Sequence, residues 1–365
     1  MHTPTSIPEG TVFARTACSE VGVDPSVGNL PHLMFHWQGK TLAPLHRAPW
    51  VEDNAFPDTM PPVDRKLSGD FVCAPFGRSD VEPSPPHGWS SNSAWRLDSE
   101  NGDGLHFTLD KTILGARMTK HLRPAPDAPL LYQVHTVDGG SGGLTFAHHP
   151  MMRVAGGARL FTSPKRLAVT PDIPIVEERH ALQNGVATAD HAAIPATRGG
   201  TIDVTRLPIA ESDEDFVALV EAEESELGWT AVIREAFDDI VFVLKDPSVL
   251  PLTMLWHSNG GREDAPWSGR HRSVLGIEDG IAAGAAGHKA ALGETVFSKA
   301  GVPTVLSLAS GKTHRVAHVI GAVPRPAGWD VVTGITIDGD VLSLHEANGG
   351  TVDMPFDPNF FDRLA

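Results

Sequence analysis

The chain has 365 residues, is 41% hydrophobic and carries a formal net charge of −16. That composition supplies a full core, and the charge argues against nucleic acid or an anionic membrane as a partner, since both need clustered Lys and Arg. Two cysteines, Cys18 and Cys73, make neither a disulfide framework nor a zinc-binding CxxC.

The N-terminal stretch MHTPTSIPEG lacks the charged-then-apolar pattern of a leader, and no apolar run reaches the ~20 residues of a membrane span. The expectation is a soluble, cytoplasmic protein, monomeric or weakly dimeric, with a neutral small molecule as partner. Strand-length apolar runs bounded by turn residues then recur along the chain. They fall at 32–37, 105–110, 130–137, 158–163, 215–223, 230–237, 239–246, 304–310, 314–323, 331–337 and 341–346. The Asp-Gly of IDGDV (337–341) predicts a hairpin. The alanine-rich 279–294 holds too many glycines for a full helix and reads as a loop with one helical stretch. More than a dozen strands with little helix predict a large antiparallel β-sandwich. It is read as one domain over 1–365, with irregular extensions at 1–30 and 347–365.

Four stretches combine polar chemistry with glycine or aromatic neighbours: CAPFGRSD (73–80), PPHGWSSNSAW (85–95), AHHPMM (147–152) and LWHSNGGREDAPWSGRHRSVLGIEDG (255–280). In the last, the strand-like VLGI delivers Glu278 at its end, where it either projects into a cleft or is a solvated strand end. Trp256 and Trp267 flank Asn259 and Arg262, a set suited to stacking on a sugar and binding its hydroxyls, though paired tryptophans also build cores. His148 and His149 are adjacent, so on a strand at most one of them faces a given site. HExxH and HxxEH are absent, and no metal or other cofactor is expected.

Together these motifs resemble the aldose 1-epimerase (galactose mutarotase-like) superfamily. The resemblance rests on FGR at 76–78, HGWSSNSAW at 87–95, HPMM at 149–152 and LGIEDG at 275–280, in the family's order and rough spacing. It implies a supersandwich fold and interconversion of the α and β anomers of an aldose without metal or nucleotide. It further implies Glu278 as base, His149 as the acid on the ring oxygen, His87 as a second histidine at that oxygen, and Arg78 on a sugar hydroxyl. Trp89, Trp95, Trp256, Asn259, Arg262 and Trp267 complete the implied sugar site. The chain departs from the family where its aromatic positions are Met151 and Met152, and where the phosphosugar branch has an arginine and this chain has Ser91.

Two other readings stay open at this level. One is a non-catalytic sugar-binding or sensing protein on the same fold. The other is a hydrolase or lyase. A hydrolase needs two carboxyls ~5–9.5 Å apart, for which Glu278 with Asp279 or Asp264 is the available choice. A lyase would use the single tyrosine, Tyr132. The readings separate on whether His87, His149 and Glu278 converge.

Overall fold

A computed structural model describes residues 6–53, 56–57, 59–102 and 104–361. Two large antiparallel sheets dominate it. The first runs in the order 187–188, 165–169, 214–221, 252–258, 274–281, 146–148, 72–73, with 151–153 also pairing with 274–281. The second runs 206–207, 158–162, 228–234, 239–245, 313–324, 130–139, 116–124, 104–109, 95–101. The helices among the described residues are single turns. This is the antiparallel β-sandwich expected from the turn-bounded apolar runs.

The period-2 alternation of a strand explains how the layers form. Along Val274–Ile281, Leu275, Ile277 and Ile281 face a core shared with Val232, Val241, Val243, Val316 and Ile320 of the second sheet. Val274 and Glu278 face the other way, where Trp256, Phe216 and Trp267 form a second apolar layer. The second sheet's outer face is covered by a three-stranded sheet, Gly334–Asp338, Val341–His345 and Thr351–Pro355, packed through Leu342, Leu344 and Met354 onto Ile240, Phe242 and Leu244. The hairpin expected at 337–341 is the link between the first two of these strands.

Several expectations need correction. Within the described part of 1–30, Val12–Arg15 and Ser19–Asp24 are strands that pair with each other, and the latter pairs with Asn29–Trp37. The C-terminal 347–365 likewise contains the strand Thr351–Pro355. These three strands are short, and they are built by pairing rather than by an apolar run. Leu252–Ser258, buried throughout, is a further strand where the sequence showed only the start of the polar-aromatic stretch 255–280. Glu278 lies in mid-strand, since the strand continues through Asp279 and Gly280 to Ile281. Only Gly284–Ala286 and His288–Ala291 of the 279–294 region are helical.

Candidate active site

The outer face of the first sheet forms the floor of a cleft of about 930 Å³. Glu278 reaches it from the centre of Val274–Ile281, and His149 from the Pro-containing corner between Phe146–His148 and Met151–Arg153. His149 Nε2 lies 3.0 Å from Glu278 Oε1, and both side chains are buried. The register makes this meeting possible. Met254 stands opposite Glu278, while Gly276 lies between Trp256 on one side and Met151 on the other. A Cβ on Gly276 would sit 3.1 Å from both Glu278 Oε1 and the Trp256 Cβ, so its absence leaves room for the carboxylate and the indole together.

His149 is fixed on three sides. Phe71 stacks on its ring at 4.4 Å, and Trp256 meets it edge-on at 5.6 Å. Its backbone N–H donates to Asp70 Oδ1 at 3.0 Å, and Asp70 Oδ2 accepts from Gln133 Nε2 at 2.7 Å. Burial works to raise the Asp70 carboxyl, but His148, His318 and Gln133 hold it below the usual carboxylate range.

His87 completes this end of the cleft, its ring 5.6 Å from that of His149 and edge-on to it. The HG motif works through its backbone. His87 has φ +64°, an uncommon conformation for a non-glycine residue. Gly88 has φ +74°, and a Cβ there would fall 1.9 Å from the Ala74 carbonyl oxygen. Only glycine allows the chain to pass so close and swing the imidazole inward. Burial, with His149 and Arg262 nearby, lowers the His87 pKa to about 3, so this ring is neutral at physiological pH. Its Nδ1 lies 3.2 Å from Cys73 Sγ. Burial keeps Cys73 a thiol, with Glu278 and Asp70 adding to that effect. A thiol donating to Nδ1 places the imidazole proton on Nε2, leaving Nε2–H as a donor.

The aromatic wall is also held in place. Trp256 Nε1 donates to Glu214 Oε2 at 2.9 Å, and the Arg262 guanidinium lies 4.3 Å over Trp267 and 5.7 Å from Trp256. Burial pushes the Glu214 carboxyl up to about 7, against the lowering effects of Arg262, Ser258, Trp256 and the Gly261 N–H. A carboxyl raised in the folded state contributes stability that is present below its unfolded value of 4.5 and is lost as pH rises through about 7. The expected consequence is a tryptophan fluorescence change with a midpoint near 7, as Glu214 gains charge beside the Trp256 indole. Glu214→Gln should abolish it, and a pH titration of the two proteins checks this.

Of the residues singled out from sequence, Arg78, His87, His149, Trp256, Arg262, Trp267 and Glu278 line this one cleft. Three do not. Trp95 is 1% exposed, and its Nε1 donates to the Ser90 carbonyl within the core. Trp89 lies on the one-turn 3-10 helix Trp89–Ser91, facing Lys111. Asn259 is spent on structure, donating to the Ala210 carbonyl and accepting the Ser273 N–H. Aromatic and amide residues serve cores and loop corners as readily as sites, and neighbouring residues in sequence do not distinguish these uses.

The carboxylate pairs considered for hydrolysis do not form. Asp279 points to the opposite face from Glu278, where it meets Lys245 Nζ at 2.8 Å and His318 Nε2 at 3.1 Å. Asp264 is exposed and outside the cleft. Tyr132 lies against Phe356 and Phe360 on the outer face of the second sheet, and its hydroxyl accepts the Asp357 N–H. A further carboxylate of the cleft is Asp64, on the one-turn helix Pro62–Arg65; burial raises its pKa, with Arg262 lowering it and Asp264 raising it further. Nothing local in the sequence marked Asp64, Asp70 or Phe71.

His148 faces the interior, opposite to His149, as strand geometry requires. Among the described residues, Asp70, His148 and His318 form a group whose ligand atoms lie within 4.8 Å of one another. The two imidazoles are stacked at 4.2 Å with planes only 13° apart. Their nitrogen lone pairs therefore lie in separate planes, and His318 Nε2 is engaged with Asp279. His148 Nδ1 lies 3.6 Å from Asp70 Oδ2, an ion-pair distance rather than a hydrogen bond.

No family model and no curated protein matches the chain. Solved structures do match its fold. A candidate aldose 1-epimerase from Escherichia coli K12 superposes with a TM-score of 0.59 at 11% identity, covering 86% of this chain and 98% of that one. A galactose mutarotase-like protein from Lactobacillus casei gives 0.54 at 14% identity, over 86% and 100% of the two chains. A galactose mutarotase related enzyme from Lactobacillus acidophilus gives 0.54 at 9% identity, over 88% and 100%. The chain thus has the galactose mutarotase-like fold, as its motifs implied. Among the described residues, no helix is long and apolar enough to cross a membrane.

Proposed function

We propose that the protein is a sugar isomerase of the aldose 1-epimerase type, interconverting the α and β anomers of an aldose. The observation that carries this reading is the 3.0 Å contact between His149 Nε2 and Glu278 Oε1 within a cleft walled by Phe71, Trp256 and Trp267. Anomerisation requires proton exchange at two oxygens bonded to the same carbon, the C1 hydroxyl and the ring oxygen. A base and an acid whose own polar atoms touch can reach both. Glu278 takes the C1 hydroxyl proton while His149 donates to the ring oxygen. The C1–ring oxygen bond breaks to give the open-chain aldehyde. After rotation about C1–C2 the ring closes on the other face with the proton movements reversed.

In this scheme His87 serves as a neutral hydrogen-bond donor through Nε2–H, because a ring with a pKa of about 3 has no proton to give up near pH 7. The tryptophan faces would stack on the C–H face of the sugar, and Arg78 and Arg262 would donate to its hydroxyls. Asp279, the neighbour of Glu278 on its strand, is committed to Lys245 and His318 and supplies no second carboxyl to the cleft. We place the protein in the cytoplasm.

The test is NMR exchange spectroscopy or polarimetry on a panel of free aldoses, with spontaneous mutarotation subtracted. Acceleration of at least one aldose is expected. Binding of an aldose without acceleration would transfer the protein to the sugar-sensing reading.

A further inference from the structure

The cleft is much larger than the catalytic end requires. A hexose fills roughly 200 Å³ at interior packing density, and the cleft encloses about 930 Å³. Its remainder, an outer arm, extends from the His149–Glu278 end toward the sheet edge formed by 165–169 and 187–188. Val169, Ile173, Ile175, Val186, Val296 and Phe297 line that arm. Phe297 is buried at its base, whereas Ile173 is 69% exposed and Val296 39%. Large aliphatic side chains left open to water within one concavity are a ligand-site signature.

The chemistry of the arm separates two kinds of extended substrate. Further sugar rings need hydroxyl partners and aromatic faces. Thr170 has the arm's buried hydroxyl, and it is already spent: it donates to the Gln183 carbonyl at 2.7 Å and accepts the Val186 N–H at 2.9 Å. The charged residues bordering the arm, Asp172, Lys289 and Glu294, are exposed and of mixed sign, which gives no preference for an ionic group.

We infer that the substrate is an aldose carrying an alkyl or acyl substituent remote from C1, with the reducing carbon at His149 and Glu278 and the apolar chain along the outer arm. This rests on the reading of the cleft as a sugar site. Each buried methylene is worth about fourfold in affinity, so a chain that buries only a few methylenes dominates selectivity over the bare sugar.

The experiment compares D-glucose and D-galactose with their 6-O-octyl ethers, and with maltotriose and octanol, by quenching of tryptophan fluorescence; anomer exchange is followed in parallel. At least tenfold tighter binding is expected for an octyl ether than for its parent hexose. The double substitution Ile173→Asp, Val296→Asp changes two exposed positions, and circular dichroism checks that it folds. It should remove that gain and leave parent-hexose binding unchanged. Equal binding of ether and parent, a gain that survives the double substitution, a comparable gain for maltotriose, binding of octanol alone as tightly as the ether, or binding of none of the probes overturns the inference. The binding arm needs no turnover. Octyl-selective binding without anomer exchange would sink the isomerase reading and leave this one standing, whereas exchange of bare hexoses with no octyl gain would do the reverse.

Discussion

Glu278→Gln is expected to fold, to bind sugar, and to lose anomerisation by ~10²-fold or more. The glutamine keeps the side-chain length, and its carbonyl oxygen still accepts from His149 Nε2–H, so the 3.0 Å contact survives and the cleft keeps its shape. What disappears is a group able to take a proton from the C1 hydroxyl. A substitution that spares ground-state contacts should lower kcat with little change in KM. His149→Asn removes the donor to the ring oxygen and should cost a comparable factor in kcat. The two losses should be far from additive, because base and acid serve one proton exchange. Stopped-flow polarimetry on the best aldose, with both single variants and the double, measures this. Full activity in Glu278→Gln would remove Glu278 as the base. Loss of binding without loss of kcat would make it a binding residue only.

How much of this was legible beforehand depends on which interactions are local. The sandwich was readable because alternation and turn residues are local features, and most of the apolar runs named from sequence are strands in the structure. Leu252–Ser258 escaped although it is buried throughout like Asp239–Lys245, because its Trp256, His257 and Ser258 read as part of the polar-aromatic stretch 255–280. The separation of His148 from His149 follows from strand geometry alone. The gathering of His87, His149, Trp256 and Glu278 into one cleft does not. It depends on pairings across the sheet, such as Met254 opposite Glu278 and Trp256 opposite Gly276, and was reachable only through the order of motifs shared with a family. The support around them stayed invisible for the same reason. Asp70 is 79 residues from the His149 N–H that it accepts. Trp89 and Trp95 show the converse error, where a polar-aromatic stretch suggested two sugar-stacking faces and one of them is core. In that stretch the histidine and glycine, with their unusual backbone, were the informative pair.

Lys245→Met should be among the most destabilising single changes in the protein, although Lys245 is absent from the cleft. Its ammonium is 1% exposed and lies 2.8 Å from Asp279 Oδ1 and 3.0 Å from Glu221 Oε1. It also donates to the Leu252 carbonyl at 2.6 Å and to Thr253 Oγ1 at 2.7 Å. Lys165 is the second cation on Glu221, so two lysines balance two carboxylates between the sheets. Methionine fills the volume but leaves one buried negative charge without a counter-charge, which costs ~3–5 kcal/mol. The pH dependence supplies the sign. Burial works to raise the Asp279 carboxyl, but Lys245 and His318 hold it well below the usual range. In the wild type that depressed group contributes stability present above its unfolded pKa of ~3.9 and lost as pH falls below it. In the variant the orphaned carboxylate titrates above its unfolded value, so acidification protonates it and removes the penalty. The stability gap between the two proteins should therefore be widest near neutral pH and narrow as pH falls toward ~4. Denaturant unfolding at a series of pH values reads this directly, and a gap that stays constant would show that lost packing, not charge, explains the effect. Because Asp279 adjoins Glu278 on one strand, anomerisation in the folded variant should also fall, with the loss in kcat reporting how far the seam beneath the cleft positions the base.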